Sequence, residues 1–93
     1  MKAVWNHIVV AESDETIMVE GNHYFPPESI KEEYFKPTEK QSMCQWKGLA
    51  DYYSLEIDGE EIENVSWVYH NPKKEAENIK NYFAFYGDVK ILG

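Results

Sequence analysis

The sequence predicts a mostly β domain, of the α+β class, with small antiparallel sheets and two short helices. The dipeptide Asp58-Gly59 separates two runs, 50–57 and 62–69, in which apolar and polar residues alternate, as in a β-hairpin. Only two segments begin like helices, and each has a proline at its first helical position. The 93 residues, 43% of them hydrophobic, predict one domain, 1–93, with one modest core.

The first two predicted strands lie near the N-terminus. Residues 3–11 are apolar and β-branched, with an interruption near Asn6-His7. Residues 16–20 predict a returning strand, so that the two runs form a hairpin. Gly21-Asn22 then predicts a sharp turn with positive φ.

The first predicted helix begins at Pro27 and continues through Ile30 and Tyr34, which are four residues apart and share a face. Pro37 ends it, and 38–42 is predicted to be a polar loop.

The central hairpin is predicted to bury one face of each strand. In the first strand Tyr53, Leu55 and Ile57 share one face. In the second strand, alternation places on one face Val65, Trp67 and Tyr69.

The second helix is predicted to begin at Asn71-Pro72, where Asn caps and Pro follows. Its apolar side consists of Ala76, Ile79 and Phe83. Gly87 marks a turn, and 89–92 predicts a final strand.

The charge balance excludes several classes of partner. The formal net charge is −8, and the basic residues are all lysines. An acidic chain without Arg does not suit nucleic acid or an anionic membrane. The sequence has no signal peptide and no apolar run long enough for a membrane span, so we expect a cytoplasmic location.

Neither a metal nor a cofactor is predicted. Cys44 is the single cysteine, which rules out an internal disulfide and a cysteine-based zinc site. The three histidines, His7, His23 and His70, are far apart in the sequence, and no phosphate-binding glycine loop is present.

The first candidate site is the segment 20–29, where Gly and Pro restrict the backbone around a carboxylate, an imidazole and two aromatic rings. Glu20 beside His23 suits general acid–base chemistry, and Asn22 and Tyr24 would contact a ligand. Strand alternation would instead separate Glu20 and Asn22 from His23. The alternative is a turn whose polar side chains bond to the local backbone.

The second candidate site is the segment 44–48. Lys47 would bind an anion or act as a nucleophile, with Cys44 and Trp46 as ligand contacts and Gly48 allowing close approach. The alternative is that Cys44 and Trp46 pack in the core while Lys47 extends to solvent.

The aromatic side chains would line a pocket for a flat ring or a sugar, or would simply form the core. This set comprises Trp5, Tyr24, Phe25, Trp46, Tyr52, Tyr53, Trp67 and Tyr69.

Several short motifs, in this order, resemble a bacterial domain-of-unknown-function family, number 427. They are Val4-Trp5-Asn6, Ala11-Glu12-Ser13, the segment 20–29, Cys44-Gln45-Trp46-Lys47-Gly48, Tyr52-Tyr53, Trp67-Val68-Tyr69, the segment 76–80 and Phe83-Ala84-Phe85-Tyr86. The resemblance covers nearly the whole chain and implies a tent-like domain, in which antiparallel sheets meet at an angle beside short helices. Some tent-like relatives hold a structural zinc with paired cysteines, which this chain lacks.

The family is also described as nucleotidyltransferase-like. Metal-dependent nucleotidyl transfer needs carboxylates close enough to hold divalent ions. The aspartates of this chain form no Asp-x-Asp pair; they are Asp14, Asp51, Asp58 and Asp88.

Three functional hypotheses follow, and the residues suit either an enzyme or a binding domain. The leading one is a small-ligand site between the two segments, in which Lys47 supplies charge, His23 transfers a proton and Glu20 orients it, with Trp46 or Trp67 as a stacking wall. The second is a protein-interaction or structural module, as a monomer or a homodimer. The third, nucleotidyl transfer, rests on the resemblance.

Overall fold

The computed structural model describes all residues, 1–93, and contains nine short or medium-length strands. These are β1 (Lys2–Trp5), β2 (Ile8–Glu12), β3 (Ile17–Val19), β4 (Asn22–Tyr24), β5 (Phe35–Cys44), β6 (Gly48–Ile57), β7 (Glu60–Val68), β8 (Phe83–Phe85) and β9 (Lys90–Leu92). Three 3₁₀ helices complete the fold: Pro27–Ser29, Glu32–Tyr34 and Lys74–Ile79. None of these helices has the length and apolar character needed to cross a lipid bilayer.

The strands form three antiparallel sheets. The largest has the order β5-β6-β7-β8, a second has the order β2-β1-β9, and β3 pairs with β4 alone. Strands hold 56% of the residues and helices only 13%, which confirms the predicted mostly β class with small antiparallel sheets.

Three hairpins turn through two residues that both have positive φ. These turns are Asn6-His7 (55° and 64°), Glu20-Gly21 (51° and 82°) and Asp58-Gly59 (51° and 83°). Paired positive φ values match the twist of the flanking strands, which favours tight turns of this kind. The predicted hairpin at Asp58-Gly59 is confirmed.

The N-terminal hairpin was predicted in the wrong place. The interruption at Asn6-His7 is itself the turn, so 3–11 folds back as β1 and β2. Strand β3 therefore pairs with β4 rather than with 3–11, and its turn lies at Glu20-Gly21, one residue earlier than predicted.

The first predicted helix is wrong as a continuous element. Two separate 3₁₀ helices replace it, because Ile30 is extended (φ −89°, ψ 152°) and interrupts the helical backbone. The extended residue forms an isolated β-bridge with Ala11, and the amide of Lys31 donates to the carbonyl of Val10 at 2.8 Å. These contacts with β2 outweigh local helix formation.

Residues 38–42, predicted to be a loop, belong to strand β5. The pairing of β5 with β6 has an irregularity between Pro37 and Gln41 and then continues to Cys44. Polar side chains suit this strand because it lies at the edge of the sheet, and a proline and a bulge are common on such edges.

The second helix is shorter than predicted. It spans Lys74–Ile79 in 3₁₀ form with a break at Ala76, and both Ala76 and Ile79 are buried as expected. Phe83 belongs to strand β8 instead, where it pairs with Val68 of β7. The final strand near 89–92 is confirmed as β9.

Two hydrophobic clusters cover the two faces of the four-stranded sheet. The first joins it to the three-stranded sheet and contains Ala3, Val10, Ala11, Phe25, Leu55, Ile57, Val65, Val68, Phe83, Phe85 and Val89. The second joins it to β4 and the third 3₁₀ helix and contains Tyr24, Ala50, Tyr69, Ala76, Ile79 and Ala84. Both clusters are needed because each face of the sheet carries apolar side chains.

An irregularity in β7 changes the predicted alternation. The pairing with β6 shifts between Tyr53 and Leu55, and Asn64 of β7 has φ 55°. Val65 therefore packs in the first cluster, whereas Trp67 and Tyr69 pack in or against the second. The prediction that these three residues share one buried face is wrong. A bulge adds a residue to the strand, so the side chain of Val65 points to the opposite side of the sheet from those of Trp67 and Tyr69.

Replacing Phe25 by Ala should destabilise the domain severely, because the side chain is fully buried and its ring lies 5.6 Å from that of Phe85. Truncation of a buried Phe costs about 3–5 kcal/mol. Urea unfolding measures this, with Met18→Ala as the exposed control, which should cost less than about 0.5 kcal/mol. Equal losses for both variants would contradict the assignment of the core.

Candidate functional site

The structure contains an open cavity of about 470 Å³ on the face of the large sheet that bears the second cluster. We call it the aromatic groove. It is lined by Asn22, Lys47, Tyr52, Trp67, Tyr69 and Tyr86. These residues come from β4, from the turn before β6, from β6 and β7, and from the segments that follow β7 and β8. The groove therefore depends on the tertiary fold rather than on any single motif.

Sheet register places the aromatic walls beside one another. Tyr52 of β6 lies opposite Trp67 of β7, and Ala84 of β8 lies opposite Trp67 on the other side. The small side chain of Ala84 leaves space beside the indole. Tyr86, two residues further along, has its ring centroid 5.5 Å from that of Trp67. The walls are thus aromatic on several sides.

Tyr24 lies beneath this wall and supports it. Its side chain is fully buried, and its hydroxyl accepts a hydrogen bond of 3.2 Å from the indole N–H of Trp67. The two rings meet edge to face at 6.3 Å. Burial raises the pKa of Tyr24, so the phenol stays neutral at physiological pH. Tyr24 therefore holds Trp67 in position.

Lys47 is the charged residue of the groove. Only 7% of it is exposed, and its ammonium group forms an ion pair with the carboxylate of Glu20. The same ammonium lies 5.1 Å from the Trp46 ring centroid and 5.7 Å from that of Tyr69. Aromatic faces attract a cation, so these rings and the carboxylate together offset the cost of burying the charge.

Glu20 receives two hydrogen bonds from the 44–48 segment. Lys47 donates to one carboxylate oxygen, and the indole N–H of Trp46 donates to the other at 3.3 Å. The hydrogen bond from Lys47, and then that from Trp46, lowers the pKa of Glu20. Burial lowers the pKa of Lys47, but the hydrogen bond to Glu20 and the charges around it outweigh burial and leave that pKa raised. Both groups are charged at physiological pH.

Gly48 has a backbone conformation that favours glycine and lies in van der Waals range of the segment 71–73. Its φ is 111°, which side chains rarely permit, and a Cβ there would lie 3.4 Å from the amide nitrogen of Lys73. That amide donates a 2.9 Å hydrogen bond to the carbonyl of Lys47. Gly48 thereby allows a backbone contact that holds Lys47 in place.

Most of the predicted site residues converge in space. Glu20, Asn22 and Tyr24 from the first segment meet Trp46 and Lys47 from the second. Trp67 lies between the groove and Tyr24. Cys44 does not line the groove; it is a half-buried free thiol that packs against the second cluster.

His23 is not brought to the groove. It pairs with Met18 across the hairpin, and its ring lies 3.0 Å from the hydroxyl of Thr16. Alternation along β4 sends Asn22 and Tyr24 to one face and His23 to the other. The carboxylate of Glu20 therefore contacts Lys47 rather than His23.

Some groove residues were only partly anticipated. Tyr52 and Tyr69 belonged to the aromatic set, whose members the structure divides between groove and core. Tyr86 was missed, because 76–83 was predicted to be helical and the strand beginning at Phe83 was not recognised. The alternation Phe83-Ala84-Phe85-Tyr86 is the signal that would have identified it.

Comparison with known families gives one match. The model of the family described as Domain of unknown function (DUF427), with the short name NTP_transf_9, matches residues 1–91. The chain belongs to this family. No curated protein matches the chain. Membership of DUF427 agrees with the family resemblance of the sequence and assigns no activity.

No three His, Cys, Asp or Glu side chains lie close enough together to hold a metal ion. The aromatic groove presents Lys47 and neutral side chains instead of a carboxylate cluster. Its chemistry suits binding of a ring through stacking and hydrogen bonds.

The domain should lose stability at high pH partly through Tyr69, because burial raises the pKa of its phenol to about 12. In the unfolded chain the phenol ionises near pH 10, so rising pH favours unfolding between these two values. Urea unfolding from pH 9 to 12 measures this. Tyr69→Phe should flatten the decline, while Tyr86→Phe, 45% exposed, controls for loss of a hydroxyl. An unchanged slope in Tyr69→Phe would contradict the effect of burial.

Gly48→Ala should destabilise the domain by about 1–3 kcal/mol, because Ala must adopt an unfavourable positive φ. The matched control is Gly59→Ala, which also has positive φ (83°) but has no atom within 4 Å of the added Cβ. Urea unfolding should show the larger loss for Gly48→Ala. Equal losses would show that the φ of 111° at Gly48 is no more costly for Ala than the φ of 83° at Gly59.

Proposed function

We propose that this domain binds a small ligand, with a flat or sugar ring, in the aromatic groove. The observation that carries the proposal is the combination of a concave surface of about 470 Å³ with four aromatic rings and a buried lysine. Ligand sites in proteins are typically concave and apolar, with a few polar groups that orient the ligand. A surface that serves only packing has no need of this arrangement.

The polar groups of the groove support recognition of a ring with hydrogen-bonding substituents. The Asn22 amide donates and accepts, and Tyr52, Tyr69 and Tyr86 supply phenol groups that do both. The Tyr52 hydroxyl also lies 3.0 Å from that of Ser42, so its orientation is constrained. Rings such as Trp67 and Tyr86 provide flat faces for stacking. Together these groups match a planar heterocycle or a sugar.

The charge states favour binding over covalent or acid–base catalysis at this groove. A lysine nucleophile must be neutral, and Lys47 has a raised pKa and a carboxylate partner. A general base must lie within hydrogen-bond reach of the substrate, and His23 lies on the other face of β4. We therefore assign Lys47 no catalytic role: its side chain lines the groove while its ammonium group is paired with Glu20.

The competing function is a module that binds a protein or a second copy of the chain. Its support is an exposed apolar pair, Met43 (67%) and Leu49 (40%), which are cross-strand neighbours at the edge of the large sheet. Such a pair is small beside the groove, and exposed apolar residues are common on protein surfaces. The groove therefore carries the proposal.

A thermal-shift screen tests the proposal with nucleosides, nucleotides, sugars, sugar phosphates and small carboxylates. A ligand at a hundred times its dissociation constant stabilises by about 2.7 kcal/mol, which raises the melting temperature of a domain of this size by roughly 10–20 °C. Lys47→Met and Tyr86→Ala should each reduce this shift, because both side chains line the groove.

Two variants provide matched controls. His23→Ala alters the same hairpin on its other face, and Lys90→Ala removes an exposed charge from β9. Both should retain the ligand-induced shift. If no compound stabilises the wild type, or if the groove variants keep the full shift, the ligand proposal is wrong and the interaction module becomes the better assignment.

A further inference from the structure

Lys47 is the only cation that lines the aromatic groove. Its positive charge is neutralised by an ion pair with the carboxylate of Glu20. We propose that this ion pair makes the groove select uncharged ring ligands and reject their phosphorylated or carboxylated counterparts. Glu20 then determines ligand charge, although it does not line the groove itself. This inference rests on the proposed function, because it specifies the class of ligand that the same groove binds.

The two side chains of the ion pair differ in solvent exposure. The Lys47 side chain is 9% exposed, whereas that of Glu20 is 52% exposed. Lys47 is held in the wall of the groove, and the more exposed Glu20 side chain reaches it there. Glu20 does so from the Glu20-Gly21 turn of the β3–β4 hairpin, whose tip therefore lies at the turn between β5 and β6. The anion that a ligand would otherwise supply is part of the protein.

An anionic ligand would have to compete with a tethered carboxylate. If a ligand anion displaced Glu20, it would accept hydrogen bonds from the same donors, Lys47 and Trp46. The number of contacts between opposite charges would therefore be unchanged. A group held on a short chain segment has a high effective concentration and outcompetes a free group of equal affinity. A ligand anion therefore gains little at this position.

An anion that leaves Glu20 in place meets an unfavourable field. It would lie near the Glu20 carboxylate in a chain whose net charge is −8. Another cation beside a groove residue is Lys40, whose ammonium lies 4.8 Å from the centroid of the Tyr52 ring. Lys40 is exposed, so water and salt screen its charge more strongly than that of a buried group. Neither arrangement favours phosphate or carboxylate.

The first experiment compares matched pairs of probes by ligand-observed NMR and thermal shift: adenosine with adenosine monophosphate, and glucose with glucose 6-phosphate. In the wild type the neutral member of a pair should bind about tenfold or more tightly than its phosphate, which corresponds to one modest unfavourable charge contact. Glu20→Gln keeps the size of the side chain and frees the charge of Lys47. It should narrow or reverse that preference.

The second experiment needs no ring ligand. Inorganic phosphate is titrated into ¹⁵N-labelled protein, and the amide signals of residues 45–48 are followed. Wild type should show no saturable change, whereas Glu20→Gln should bind phosphate at Lys47. The double variant Glu20→Gln/Lys47→Met should lose that binding. Glu33→Gln, which removes an exposed carboxylate from the second 3₁₀ helix, controls for net charge and should behave as wild type.

The outcomes separate this inference from the proposed function. Neutral-ligand preference in wild type, with phosphate binding gained in Glu20→Gln, supports the inference. Tight binding of the phosphorylated members to wild type overturns it and leaves the ligand groove standing. Failure of phosphate to bind folded Glu20→Gln also overturns it, since Lys47 would not then be masked by Glu20. If every ring probe fails in all variants, the proposed function fails with it.

Discussion

The arrangement of this domain depends on a pair of backbone hydrogen bonds between Phe25 and Phe83. The amide of each residue donates to the carbonyl of the other at 2.8 Å, so that the end of the β3–β4 hairpin joins β8. Strand β8 pairs on its other side with β7 of the large sheet. Buried amides and carbonyls need hydrogen-bond partners. This bridge supplies them to the edge of β8 and to the end of the hairpin at the same time. It also brings the hairpin over one face of the sheet.

That position decides which side chains meet. Once β4 is held beside β8, Tyr24 reaches Trp67 and the tip of the hairpin reaches the turn before β6. The ion pair between Glu20 and Lys47 then forms beside the groove, while the large sheet supplies its aromatic wall. A half-exposed ion pair contributes little to stability because water screens it. We propose that its role is to neutralise the charge of Lys47 in the groove.

Local sequence signals predicted correctly the elements whose conformation depends on neighbouring residues. They failed for elements whose conformation is determined by contacts with residues distant in the sequence. Asp58-Gly59 identified its hairpin because the turn geometry requires those residues. The helix predicted from Pro27 to Tyr34 failed because Lys31 bonds to β2. The 44–48 segment was predicted to be a site from its composition, but its contact with Glu20 spans 27 positions and depends on the tertiary fold. The leading hypothesis placed His23 in the site, whereas strand alternation, the alternative that the sequence also indicated, places it on the other face of β4.

The groove forms because a short chain has few residues with which to cover both faces of the large sheet. The first cluster covers one face with a full three-stranded sheet, whereas the other face has only a two-stranded hairpin and a short 3₁₀ helix. These smaller elements leave part of the second face uncovered. The residues there, Tyr52, Trp67 and Tyr86, are aromatic residues that end in a polar group, so they tolerate water while keeping an apolar surface. We propose that this region of incomplete coverage is where a ring-shaped ligand binds, and that the Glu20–Lys47 pair limits the charge that such a ligand can carry.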